Sequence, residues 1–222
     1  MTLLALLIAA TVGLSLIMAA AWSLSVRTAK SGGIDAIWSF AVGAAGVAVA
    51  FAPVEGWPVE TQRQSLVALL AAFWSLRLGL HITKRTLGGG EDPRYASLKE
   101  QWGEKWRGQL FWFLQIQAAA ALLLAIMIFL AAHNPTPGLV VSDWVGVAIL
   151  VSAILGEGLA DSQLSKFRAQ PQNKGRVCDA GLWGLSRHPN YFFQWLGWAG
   201  YAVIAIEPGG EYPWGWAAIA GP

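Results

Sequence analysis

"LFWFLQIQAAAALLLAIMIFLAA", residues 110–132, runs for twenty-three positions without a charge. A helix crossing a bilayer needs about 20 predominantly apolar residues, and a chain in lipid must satisfy its own backbone hydrogen bonds. Helix is therefore the only form consistent with such a stretch. The rest of the chain agrees. Of its 222 residues 55% are hydrophobic and only 13% charged, with a mean hydropathy of +0.48. A soluble domain carries about 25% charged residues, so this chain has too little polar surface to meet water on all sides. Its 13 tryptophans fit the same class, because the indole ring favours the bilayer interface.

Working outward, comparable stretches occur at Thr2–Ala21, Ile37–Pro53, Ser65–Ile82, Val140–Leu159 and Phe192–Ile206. The first has no positive charge ahead of it and no cleavage pattern, so it reads as a retained span and not a secretion signal. A seventh span is expected to begin at Tyr212, and "PWGWAAIAGP" reads as its first turns. The expected fold is all-α: one polytopic bundle of about seven transmembrane helices over residues 1–222, with no second domain. Single Cys178 excludes an internal disulfide and a multi-cysteine metal site, and it reads as a structural thiol.

The charges test this layout. The first, third and fifth loops hold thirteen of the 15 Lys and Arg residues, while the second, fourth and sixth hold only Arg63. Cationic loops stay in the cytoplasm. The expectation is an outside amino terminus and two large cytoplasmic loops, 83–109 and 160–191.

Ionisable groups at membrane depth cost about 2.5–3.5 kcal/mol on insertion scales and so need a reason. In "WSLRLGLHITKR" (74–85), Arg77 and His81 share a helix face, and either pair with a neighbour or line a cavity. Gln115 and Gln117 in the fourth span suit helix-to-helix hydrogen bonds. "GEGLADSQLSKFR" (156–168) sets Glu157, Asp161, and Ser165 or Arg168 along one stripe. Two carboxylates four residues apart repel, so a cation is expected between them: Arg168 or an Arg from another loop. In "GLWGLSRHPNYFFQW" (181–195), Pro189 turns His188 away from helical geometry and Asn190 is a plausible N-cap for the sixth span. A helix N-terminus also welcomes anions. With Lys166, Arg168, Lys174, Arg176 and Arg187 on the same side, the expected result is a basic pocket for phosphate or pyrophosphate. "GGGED" (88–92) is no dinucleotide fingerprint, lacking the strand–glycine–helix context.

These residues resemble a known family. "EGLADSQ" (157–163), Phe167–Arg168 and "GLWGLSRHPNYF" (181–192), together with "WSLRL", "EDPRY" and Trp102 upstream, are similar to the membrane-embedded steroid 5-alpha-reductases, in particular a bacterial branch of the DUF1295 type. The resemblance runs from about residue 74 onward. It implies about seven spans, NADPH bound at the cytoplasmic side of a bacterial inner membrane, and hydride transfer to the double bond of a lipid-like or steroid-like enone. It further implies that Glu157, Asp161, Gln163 and Arg168 hold ribose and phosphates. Asn190 then meets the nicotinamide, with Arg187, His188, Tyr191 and Gln194 close by. Gln194 replaces a glutamate frequent in the family, and the tyrosine of the animal enzymes near an Arg-Thr pair has no counterpart after Arg85–Thr86.

The carbonyl of an enone needs a donor, and Tyr95 is the first choice, its neutral O–H being able to donate at pH 7; His81 is the second. The substrate would enter from lipid into a cavity among the first four spans. Two rival classes remain. Isoprenylcysteine and phospholipid methyltransferases share an R-H-P-x-Y motif and bind S-adenosylmethionine. A non-catalytic lipid-binding protein would need the basic loops but not the acidic stripe. No metal site and no nucleic-acid partner are expected, and neither the acceptor nor the oligomeric state is legible in the sequence.

Overall fold

The computed structural model describes residues 1–87, 91–207 and 209–221. The described residues form seven α-helices: α1 (Leu3–Thr28), α2 (Ile34–Ala50), α3 (Thr61–Leu87), α4 (Pro93–Trp102), α5 (Trp106–Ala132), α6 (Val141–Arg168) and α7 (Pro189–Ala205). No strand occurs among them, and the architecture is a helical membrane bundle. Four helices are long and apolar enough to cross a membrane: α1, α3, α5 with α4 leading into it, and α6. α2 and α7 have 17 residues each, about 26 Å at 1.5 Å per residue, the lower limit for a span.

Boundaries differ from the expected spans where polar residues extend a helix beyond its apolar stretch. α3 begins at Thr61 and runs to Leu87, and α6 continues nine residues past Leu159. The acidic stripe therefore lies inside a helix, with two turns beyond it, and not at a helix end. The expected loop 83–109 contains α4, whose N-cap Asp92 accepts from the Arg94 backbone N–H. Gly88–Gly90, the core of the "GGGED" stretch, lie outside the described residues. Pro213–Ala220 makes 3-10 turns where an α-helical seventh span was expected to start; next to it, Tyr212 Oη donates to Leu130 O at the end of α5.

Two close approaches set the packing. Gly146 on α6 faces Gly200 on α7, and a Cβ on Gly146 would stand 2.8 Å from the Gly200 carbonyl oxygen. Small residues at such crossings let backbones meet, which is how membrane helices gain contact without a hydrophobic drive between them. α2 and α3 meet similarly at Gly43 and Ser75, where Ser75 Oγ donates to Ser39 O at 2.9 Å. α1 packs chiefly against α2 and α5, with Ser15 Oγ donating to Gln115 Oε1 at 2.7 Å. Gln115 thus makes the helix-to-helix bond its position suggested.

Arg63 is not a loop cation. It lies in the first turn of α3, 0% exposed, and spends all five N–H donors. Two reach the Asp143 carboxylate at 2.8 Å, and the others reach the carbonyls of Asn134, Thr136 and Gly138. The single Lys or Arg of the sparsely charged loops is a buried clasp tying α3 to the start of α6. Its exception to the charge asymmetry has a structural cause.

Candidate active site

At the other end of the bundle, α2, α3, α5, α6 and α7 part around a cavity of about 600 Å³, within the range of small-molecule sites. Each helix gives it one stripe at helical spacing. α3 contributes Leu78, His81, Ile82 and Arg85, and α6 contributes Glu157, Asp161, Leu164 and Arg168. α7 adds Asn190, Tyr191, Gln194 and Trp198, α2 adds Asp35, Trp38 and Ser39, and α5 adds Gln117 and Ala120. Arg94 of α4 and Trp183, Arg187 and His188 of the connection before α7 close the polar end. No residue of α1 lines it. The expected cavity among the first four spans is corrected to one centred on α3, α6 and α7, because α1 is held outside by α2 and α5.

The acidic stripe and the RHPNY turn therefore meet in one hollow, and Arg168, Arg187, His188, Asn190, Tyr191 and Gln194 all line it. The cation between the carboxylates is Arg77, from α3 and not Arg168 or a loop. Its NH2 donates to Asp161 Oδ2 at 2.7 Å, and its NH1 lies 3.0 Å from Glu157 Oε1 as an ion pair without hydrogen-bond alignment. Asp161 also lies 3.6 Å from His81 Nε2. Arg77 and His81, one turn apart, thus serve pairing and cavity lining together. With Arg77 serving the stripe, Arg168 and Arg187 have no acidic partner within 4 Å among the described residues.

Three expectations change at the level of single side chains. Asn190 is not the N-cap: α7 starts at Pro189, with His188 in the cap position and no side-chain cap. Proline at the first helical position needs no donor, which frees Asn190 to line the cavity, where its Oδ1 is buried without a partner. Gln163 faces away from the cavity. Its Oε1 accepts from Leu182 N at 3.0 Å, and it packs where a Cβ on Gly181 (φ +59) would stand, so it anchors the 181–184 turn. Trp183 Nε1 fastens the same turn to Ala160 O at 2.9 Å. Tyr95 is 4% exposed and does not line the cavity. Its O–H donates to Asp35 Oδ1 at 2.8 Å and accepts from Gln117 Nε2 at 3.3 Å, so it stands one side chain behind the wall.

Asp35, Arg94 and Gln117 are site residues that sequence reasoning missed. Asp35 stands two residues ahead of the expected span 37–53 and carries no assignment there, and Gln117 reads as helix packing. The only available signal was a carboxylate in the first turn of an apolar helix, which suits the helix dipole and so drew no notice. Arg94 reaches both Asp35 and Asp92. Burial works to raise the Asp92 carboxyl, but hydrogen bonds from the Arg94 side chain and backbone outweigh it and hold the group below the usual carboxylate range.

The cavity continues past Leu164, Arg168, Trp183, Arg187 and His188 into a chamber of about 940 Å³ under the 169–178 segment. Lys174, Arg176 and Cys178 join its wall, and no carboxylate does.

These features can be set beside known proteins. No solved structure matches the chain. An uncharacterized protein of Schizosaccharomyces pombe, C594.04c, is 25% identical over 215 residues, covering 84% of this chain and 61% of that protein, so the chain spans about three fifths of its relative's length. The family profile described as "Protein of unknown function (DUF1295)" matches residues 21–222, which takes in every helix that lines the cavity, and the chain belongs to the DUF1295 family.

Proposed function

We propose that this chain is a membrane reductase of the steroid 5-alpha-reductase type, taking NADPH from the cytoplasm and reducing the double bond of a lipid-like enone. The observation that carries the reading is the two-part hollow. One part carries the amides of Gln117, Asn190 and Gln194, the His81 imidazole and the carboxylates of Asp35, Glu157 and Asp161; the other, joined to it at Arg168 and Arg187, adds Lys174 and Arg176 and is lined by no acid. An elongated ligand with one amide-bearing end and one end rich in phosphate matches that division.

The fit extends to single atoms. Asn190 Oδ1 is buried and lacks a donor, which a carboxamide N–H₂ supplies. Gln194 accepts from Trp74 Nε1 at 3.2 Å, which holds its amide in place beside Asn190. Arg168 and Arg187 present guanidinium forks, the geometry suited to phosphate oxygens. Arg77 takes one oxygen of Glu157 and one of Asp161, leaving each carboxyl group a second oxygen that can accept from ribose hydroxyls. When bound, the cofactor supplies the hydride; the chain supplies position and field. His81 lines the cavity and is the nearer donor for a substrate carbonyl, while Tyr95 acts behind it by holding Asp35.

An S-adenosylmethionine methyltransferase remains the rival class, but that cofactor carries no phosphate for the four cations. Cys178, the single cysteine, lines the basic chamber and reports its occupancy. Purified protein is alkylated with N-ethylmaleimide in the presence of NADPH, 2′-phospho-ADP-ribose or S-adenosylmethionine. Slowing of Cys178 alkylation at least fivefold by the two phosphates, and not by S-adenosylmethionine, is expected; protection by S-adenosylmethionine alone transfers the site to the methyltransferase class.

A further inference from the structure

The seams between the cavity walls are unequal. Arg77 bridges α3 to α6, and Trp74 Nε1 bridges α3 to Gln194 on α7. Trp38 Nε1 bridges α2 to the Gln117 carbonyl on α5 at 2.9 Å, and Ser75 joins α3 to α2. α6 and α7 meet through glycines. Around α5 and α7 the polar ties among the described residues lie at the far end, where Asn134, just past α5, donates its Nδ2 to Ile204 O and Tyr212, past α7, donates its Oη to Leu130 O. Among the described residues, no hydrogen bond or ion pair joins α5 to α7 at the level of the cavity.

Helical phase brings the cavity face and the lipid face together along this seam. On α5, Trp112, Ile116 and Leu123 are exposed and mark the lipid face, while Gln117 and Ala120 line the cavity. Ala120 does both: it lines the cavity and is exposed. It stands fourteen residues into α5, about 21 Å along the axis, in the middle of a span. On α7, Tyr191 likewise lines the cavity and is 60% exposed, next to the lipid-facing Phe192 and Trp195. Alanine at the meeting of cavity face and lipid face has the smallest side chain short of glycine and closes off little of the seam. Just inside, Gln117 keeps Oε1 without a donor, since its Nε2 is held by the Tyr95 oxygen, whose own proton goes to Asp35.

We propose that the α5–α7 seam is a lipid portal through which a single-tailed membrane lipid puts its compact polar head into the cavity while its hydrocarbon tail stays in the bilayer. The proposal rests on the reading of this cavity as the reaction site, and it narrows the substrate to a tailed lipid presented from the side. Gln117 Oε1 receives a hydroxyl or N–H of the head; Ala120 and Tyr191 form the lips past which the tail runs. A long flexible tail needs only a narrow gap, so the seam can stay narrow and still admit it.

The test uses native protein in nanodiscs and a sixteen-carbon alcohol carrying a photoreactive diazirine near its hydroxyl, with crosslinks mapped by mass spectrometry. Labels at Gln117, Ala120, Tyr191 or Gln194 are expected, alongside the general labelling of Trp112, Ile116 and Leu123 on the lipid face. In Ala120→Phe the inner labels should fall at least fivefold while the lipid-face labels stay within twofold. Ala119→Phe, on the neighbouring exposed position, should change neither. Labelling confined to the lipid face of native protein, or inner labels unchanged in Ala120→Phe, overturns the portal. The native map stands without either variant. Cys178 protection by NADPH is read separately, so loss of the portal and loss of the reductase reading give different results.

Discussion

Arg77 holds the cavity floor together. Its guanidinium takes two carboxylates from the adjacent turn of α6, and the three groups are 16%, 7% and 11% exposed at the side chain. Removing one partner of a buried ion pair leaves an uncompensated charge and costs about 3–5 kcal/mol, far more than the pair itself contributes. Arg77→Ala should therefore lower the melting temperature in detergent sharply. Glu157→Gln in the same chain should recover part of the loss, because one of the two stranded charges is gone. If Arg77→Ala melts within a degree of the native protein, the carboxylates are hydrated and the clamp described here has no weight. Arg77→Lys should fall between, since an ammonium cannot fork to two acids as a guanidinium does.

At the scale of the element, the α6–α7 pair is the most closely packed in the bundle, and glycine makes it so. The Gly200 carbonyl that a Gly146 side chain would meet is backbone and cannot swing aside. Gly146→Ala should cost about 1–3 kcal/mol, the usual range for overpacking. Gly13→Ala, with open space around it on α1, should be neutral or slightly stabilising, as Gly→Ala in a helix generally is. Thermal unfolding of the two variants side by side checks the pair, and equal effects would put the contact in doubt. Patterning succeeds on α3 and α6: the Arg77–His81 pair and the Glu157–Asp161 stripe were readable from spacing because side chains three and four residues apart share a face.

For the whole molecule, the charge asymmetry and the folded bundle agree on which segments share an end. Lys105, Arg168 and Arg187 lie at the cavity end, while Arg63, Asn134 and Asp143 lie at the other. Single cysteines at Glu104 and Glu55, each in a Cys178→Ser background, should react with a membrane-impermeant maleimide from opposite sides. Glu104→Cys should react only after the inner face is opened, and Glu55→Cys in intact cells. The reverse pattern would invert the topology and place the basic chamber away from cytoplasmic nucleotide.

The sequence by itself determined the class, the spans and the end that carries the cations, since these follow from hydropathy and local spacing, which are properties of neighbours along the chain. Its spacing also set Glu157, Asp161 and Arg168 along one helix face, and these line the cavity. Only the tertiary structure decided how they are partnered. Arg77 pairs with residues 80 and 84 positions away, Tyr95 donates its hydrogen bond to Asp35 instead of into the cavity, and Gln163 holds a turn. Such choices depend on which helix faces which, and in lipid that is settled by close approach of small residues and by a few buried polar bonds between distant segments.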